Sequence, residues 1–123
     1  MSKALSIFVL ALAASAAHAG EKTNDQLCQR YNVLHPKSIR AELEKRGALT
    51  AEEWKAVDEE RIFVGMSGTA VRCARGKPWI VVTQTEAGPV EVWRYQPQHF
   101  WERLTMRDGR VSEYTKSYLE GGT

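Results

Sequence analysis

The spacing of apolar residues changes along the chain from a helical period to a strand period. In the first part, apolar residues recur three or four positions apart, and each such run ends at a proline or a glycine. Leu27–Leu34 predicts a first helix that stops at Pro36. Ser38–Arg46 predicts a second helix that stops at Gly47.

Two further helices are predicted from their capping residues. Thr50 and Glu53 form a capping box, in which the hydroxyl accepts from a free amide and the carboxylate reaches back to the cap. Trp54 is expected on the core face of this helix, and the acidic residues, Glu53 included, on the outside. Ser67 is the natural cap of a short fourth helix that ends at Gly76 in the left-handed region.

From residue 79 onward, β-branched and aromatic residues indicate antiparallel strands instead. Asp108-Gly109 is the strongest short signal of a two-residue hairpin. A loose tail is expected from Lys116. The predicted strands cover 79–85, 90–95, 100–106 and 110–114. Helices followed by such a meander predict a two-layer α+β domain, with N-terminal helices packed on an antiparallel three- to four-stranded meander.

The N-terminus has the pattern of a cleaved export signal. Lys3 precedes an apolar run at 4–17, and Ala-His-Ala at 17–19 is a small-x-small cleavage site. We therefore expect a periplasmic or secreted protein, with a membrane anchor or buried helix as the alternative. No lipid anchor is expected, because the first cysteine, Cys28, lies well past the apolar run. The predicted organisation is a signal peptide at 1–19, an N-terminal segment at 20–36, an α+β domain at 37–116 and a loose tail at 117–123.

Export makes the two cysteines and the charge balance informative. Cys28 and Cys73 are expected to pair in an oxidising compartment, and two unpaired thiols are the alternative. The enclosed loop would then contribute about 4 kcal/mol to stability. The chain has 17 basic and 15 acidic residues, and loss of Lys3 leaves it close to neutral. This balance argues against a nucleic-acid partner.

No motif in the sequence names a reaction or a cofactor. There is no H-E-x-x-H motif, no glycine-rich phosphate loop and no cysteine–histidine spacing typical of a metal site. His35 and His99, the two histidines beyond the predicted signal, are expected at the surface. We therefore predict a protein that is not an enzyme, without catalytic or metal-binding residues.

Aromatic residues in the strand region are stronger candidates for a functional surface, because Trp and Tyr dominate binding hot spots. Leu104 and Met106 take the inward register, so Trp101, one step out of phase, is expected on the outer face. Trp93 and Tyr95 compete with valines of the same strand for the core, and both assignments stay open. The predicted partner-binding residues are Trp79, Trp93, Tyr95, Phe100, Trp101 and Arg103.

The order of several short motifs resembles the BamE-like family, also called the SmpA/OmlA family. The motifs are Gly65-Met66-Ser67, Val71, Gly76-Lys77-Pro78, Trp93-Arg94-Tyr95 and Asp108-Gly109-Arg110-Val111, and the resemblance covers roughly residues 60–115. It implies an α-α-β-β-β arrangement and a non-enzymatic role, since the family's namesake is a lipoprotein subunit of the outer-membrane β-barrel assembly machinery. This chain departs from the family in lacking the lipid-attachment cysteine and in having Ala70 at the helix start.

Together these features predict a soluble periplasmic protein-interaction module. Its partner would be an envelope protein, with the outer-membrane assembly machinery as the example that the resemblance suggests. The contact would use an exposed aromatic sheet face or the edge at 79–82. The alternative is a secreted inhibitor of an envelope or host hydrolase, because a disulfide-stiffened domain loses less entropy on binding.

Overall fold

A computed structural model describes residues 21–97 and 99–118, and the predicted export signal and residues 119–123 lie outside this range. The chain in this range forms α1 (Asn24–Leu34), α2 (Lys37–Lys45), α3 (Ala51–Asp58), α4 (Gly68–Arg75), β1 (Trp79–Thr85), β2 (Gly88–Tyr95), β3 (Phe100–Arg107) and β4 (Arg110–Tyr118). The strands form one antiparallel sheet in the order β1-β2-β3-β4. The α+β meander is therefore confirmed, with two helices and one strand more than the family resemblance implies.

The predicted helix starts of α3 and α4 are present. Thr50 Oγ1 accepts from the Glu53 amide at 3.1 Å, and the Glu53 carboxylate accepts from the Thr50 amide at 3.0 Å. Ser67 Oγ accepts from the Ala70 amide, at the third residue of α4. The second helix, however, begins after Pro36 and not at Ser38. Gly76 ends α4, as predicted, but not in the left-handed helical region. Its φ of +89° is positive, whereas its ψ of −154° is extended.

A disulfide bond between Cys28 and Cys73 joins α1 to α4, as predicted. Both cysteines are fully buried in the core. Polar side chains add to the same helix pair: Thr69 Oγ1 donates to Asp25 Oδ1 at 2.6 Å, and Arg72 Nη1 donates to a glutamine of α1 at 3.0 Å. These contacts and the disulfide hold α1 against α4 over most of its length.

The sheet has an inner face, which packs on the helices, and an outer face on the other side. Trp93, Leu104 and Val111 belong to the helix–sheet core, and alternate residues of the same strands point outward. Asp108 and Gly109 both have a positive φ, at 52° and 76°, which is the backbone of a type I′ hairpin. The predicted outward register of Trp101 is confirmed.

Two further predictions need correction. β4 continues to Tyr118, so residues 116–118 belong to the sheet and not to a loose tail. Glu53, predicted on the outside, is buried. Its second carboxylate oxygen accepts from the Ser67 amide at 2.7 Å, and this hydrogen bond joins α3 to the start of α4. Burial opposes ionisation of Glu53, but its hydrogen bonds with Thr50 and Ser67 outweigh burial and lower the pKa.

Candidate functional site

Two of the predicted partner-binding residues lie in the core. Trp93 is 4% exposed, and Gly68 packs so closely on it that a Cβ there would meet the indole ring at 3.0 Å. The Arg72 guanidinium stacks 4.5 Å from the same ring. Tyr95 is also buried, and its hydroxyl donates to the Gly76 carbonyl at 3.0 Å. Trp93 and Tyr95 therefore stabilise the fold and are not surface residues.

The other four predicted residues remain accessible to different degrees. Trp79 is 67% exposed and Trp101 is 41% exposed. Arg103 is exposed on the outer face, two residues after Trp101 on the same strand. Phe100 is half-buried and lies under the Lys116 ammonium, 4.0 Å from the centre of the ring. The residues of the candidate surface are thus Trp79, Trp101 and Arg103. Phe100 is not part of it, because it alternates with Trp101 and shares the inner face with Glu102 and Leu104.

β1 is an edge strand with apolar side chains on both faces. It pairs with β2 along one side, and no described residue pairs with its other side. The helices do not cover it, and every residue from Trp79 to Gln84 is exposed. Its large exposed apolar residues are Trp79, Ile80, Val81 and Val82.

The opposite edge of the sheet, β4, is protected. The Gly65 amide donates to the Val111 carbonyl at 2.7 Å, and the Val111 amide donates to the Met66 carbonyl at 2.9 Å. The loop before α4 therefore covers the start of this strand. Further along, β4 carries Glu113 and Lys116, and charged side chains are a common means of keeping an edge from pairing. β1 contains no charged residue and no proline.

The outer face contains a shallow concavity of about 330 Å³ between β2, β3 and β4. Arg94 and Arg103 face each other across β2 and β3 in this concavity. Trp101, Thr115 and Ser117 also line it. Trp101 and Arg103 are recognisable from the sequence, but Arg94 is not, because a cross-strand pair can be recognised only once the strand register is known.

A buried polar cluster lies on the inner face, directly behind this concavity. Arg75 donates to both carboxylate oxygens of Glu102, at 2.6 and 3.0 Å, and the Tyr114 hydroxyl donates at 2.5 Å. Burial and the contact with Glu102 raise the pKa of Tyr114 to about 12. Burial works against the charge of Arg75, but the ion pair outweighs it and raises the pKa. Because these groups satisfy one another, we interpret the cluster as structural.

Comparison of the chain with protein-family models, with curated proteins and with solved structures finds no match in any of the three. The resemblance to the BamE-like family therefore stays a prediction. Within the described ranges, no helix is long and apolar enough to cross a membrane. Across the same residues, no group of three or more His, Cys, Asp or Glu side chains is placed to hold a metal ion.

Proposed function

We propose that this chain is a non-catalytic protein-interaction module of the cell envelope. Its β1 edge binds an extended segment of a partner protein, which adds to the sheet as a fifth strand. The observation that carries this proposal is the outer edge of β1, whose backbone pairs with no residue in the described part of the chain and whose side chains from Trp79 to Val82 are apolar and exposed. Strand addition to such an edge is a recurrent mode of peptide recognition.

The contrast between the two sheet edges supports strand addition. A free edge offers a row of backbone donors and acceptors to any extended chain, and most proteins block it with charge, proline or a covering segment. β4 has a covering segment and charged residues, whereas β1 contains no charged residue and is covered by none of the segments in the described ranges. On a bound partner, Trp79 and Val81 would contact side chains on the outer face, and Val82 would contact those on the inner face.

The envelope location draws on two features. The N-terminal sequence predicts export, and the disulfide between Cys28 and Cys73 is compatible with an oxidising compartment. The resemblance to the BamE-like family makes the outer-membrane assembly machinery the first partner to examine.

Photocrosslinking from β1 tests the proposal. A photoreactive residue at Val82 (61% exposed) is compared with one at Val64 (63% exposed), which lies in the loop before α4. We expect a defined envelope protein to crosslink at Val82 and not at Val64. In the purified complex, hydrogen exchange of the β1 amides should slow, because strand addition gives them partners.

Two results would contradict the proposal. Equal crosslinking from both positions would show that β1 has no special role. A crosslink from one β1 to another, with a dimer in sedimentation, would assign the edge to self-association instead. As a second variant, Val82→Lys should abolish capture without loss of folding, and Val64→Lys should leave capture unchanged.

The inhibitor alternative rests on the disulfide, which limits the ordering cost of binding. The same capture experiment separates it from the leading proposal. A single soluble hydrolase as the crosslinked partner, with loss of its activity on addition of this protein, would favour inhibition. A partner that is itself an assembly subunit or an outer-membrane β-barrel would favour the interaction module.

A further inference from the structure

Two positive charges lie directly opposite each other on the outer face of the sheet. Arg94 of β2 and Arg103 of β3 are cross-strand partners, and both are exposed. Neither side chain forms an ion pair or a hydrogen bond with any residue in the described part of the chain. Like charges in this position destabilise a sheet. An anion held between the two guanidinium groups would remove that repulsion.

The surroundings of the arginine pair are suited to an anion. The concavity also presents the hydroxyl-bearing residues Thr115 and Ser117, whose side chains have no hydrogen-bond partner among the described residues. Glu102 borders the concavity as well, but its carboxylate is buried and is engaged by Arg75 and Tyr114. Among the described residues that line the concavity, none therefore offers a free carboxylate to the arginines.

Two exposed tryptophans flank the arginine pair. Trp79 of β1 is the cross-strand partner of Arg94, and Trp101 precedes Arg103 by two residues on β3. Strands spaced about 4.8 Å apart and a rise of about 3.4 Å per residue place the two tryptophan Cα atoms about 12 Å apart. An extended peptide covers this distance in about four residues.

We propose that this concavity binds an acidic peptide segment of a partner protein. Arg94 and Arg103 hold a carboxylate side chain, for which the planar guanidinium offers paired hydrogen bonds. Trp79 and Trp101 contact apolar residues on either side of the acidic one. This site does not depend on strand addition at β1, because the carboxylate is held by β2 and β3.

The charge distribution favours a short acidic peptide over a polyanion. The outer face also carries Glu113, exposed on β4 in the register of Thr105. The formal charge of the whole chain is only +2, with 15 acidic residues spread among 17 basic ones. A nucleic acid or an anionic membrane needs a broad basic surface, whereas a single carboxylate needs only the arginine pair.

Peptide titration tests the site. The purified protein is titrated with a six-residue peptide that has one glutamate between leucine and phenylalanine residues, followed by tryptophan fluorescence. The matched peptide has glutamine in place of glutamate. We expect the glutamate peptide to bind at least tenfold more tightly, and the preference to weaken with added salt.

Matched variants identify the residues responsible. Arg94→Gln and Arg103→Gln should each remove the preference for glutamate. Arg30→Gln, at an exposed arginine of α1, should leave it unchanged. Val82→Lys should also leave it unchanged, which separates this site from strand addition at β1.

Three results would overturn the proposal. One is equal binding of the two peptides. Another is an equal loss of the preference in the Arg30→Gln control. The third is tighter binding of phosphatidylglycerol vesicles or of a short single-stranded DNA than of the glutamate peptide, with the same dependence on Arg94 and Arg103, because the site would then belong to a polyanion.

Discussion

Glu102 and Arg103 are neighbours on β3, yet they lie in opposite electrostatic environments. Glu102 points to the inner face, is 1% exposed, and accepts hydrogen bonds from Arg75 and Tyr114. Arg103 points to the outer face and is opposed by Arg94, a second positive charge. The same strand therefore carries a fully matched charge on one side and, on the other, a charge that no described residue matches.

The difference separates what stabilises this fold from what is available to a ligand. A buried charge must be paired, because an unpaired one is costly to take out of water. An exposed charge is solvated and can stay unpaired at little cost. Matching on the inner face thus reflects the requirements of folding, whereas the facing arginines outside are explained by no contact within the described chain.

The largest expected effect concerns the helices that cover the inner face. Replacing Cys28 and Cys73 together with serine removes the cross-link between α1 and α4. Its sequence separation of 45 residues corresponds to a loss of about 4 kcal/mol in the free energy of unfolding. Urea denaturation followed by circular dichroism measures it, with reduced wild type as the control. A loss below about 1 kcal/mol would show that packing and side-chain hydrogen bonds alone hold α1 against α4.

Glu102→Gln removes the buried ion pair with Arg75 on the inner face. It leaves the Arg75 guanidinium buried without an opposite charge, so we expect the free energy of unfolding to fall by about 3 kcal/mol. Glu113→Gln, on the exposed outer face, is the matched control and should change stability by less than about 0.5 kcal/mol. Equal effects of the two substitutions in urea denaturation would remove the distinction between the faces.

Glu53→Gln tests a buried carboxylate of the helical layer through pH. The pKa of Glu53 is lowered in the folded protein, so its charge contributes stability above the unfolded pKa, and this contribution is lost as the pH falls through the folded pKa. We expect the variant to be less stable than wild type by about 1 kcal/mol at neutral pH. The difference should disappear in acid. A difference that persists unchanged below about pH 3 would assign the effect to shape and not to charge.

Arg103→Gln should have the smallest effect on the free energy of unfolding, and it should stabilise the protein where the other substitutions destabilise it. It removes the repulsion with Arg94, so stability should stay the same or rise by about 0.2 to 0.5 kcal/mol. The increase should shrink at high salt, because exposed charges are screened. Thermal denaturation at low and high ionic strength measures it. A loss of more than about 1 kcal/mol would reveal that Arg103 has a structural role after all.

Features governed by neighbouring residues could be predicted from the sequence. The capping residues Thr50 and Ser67, the Asp108-Gly109 hairpin and the alternation along β3 all act within a few positions of the chain, where residue type decides the geometry. The pairing of Cys28 with Cys73 was also predictable, because the described chain has two cysteines and no competing partner for either.

Features that join distant segments could not be predicted. Glu53 was recognised as a cap, but its hydrogen bond with Ser67 depends on how α3 meets α4. Trp93 and Trp101 are both tryptophans in strands, and the choice between core and surface depends on which face the helices cover. The facing of Arg94 and Arg103 depends on the β2–β3 register.

By itself, the sequence determined the order of helices and strands and the pairing of the two cysteines. The tertiary structure alone decided that the start of β4 is covered, that no described residue pairs with the outer edge of β1, and that Arg94 and Arg103 lie opposite each other. The physical reason is the distance along the chain over which each interaction acts. Caps, turns and alternation are set by bonds within one turn or one strand, whereas exposure and charge pairing depend on which segments, remote in the chain, come to pack together.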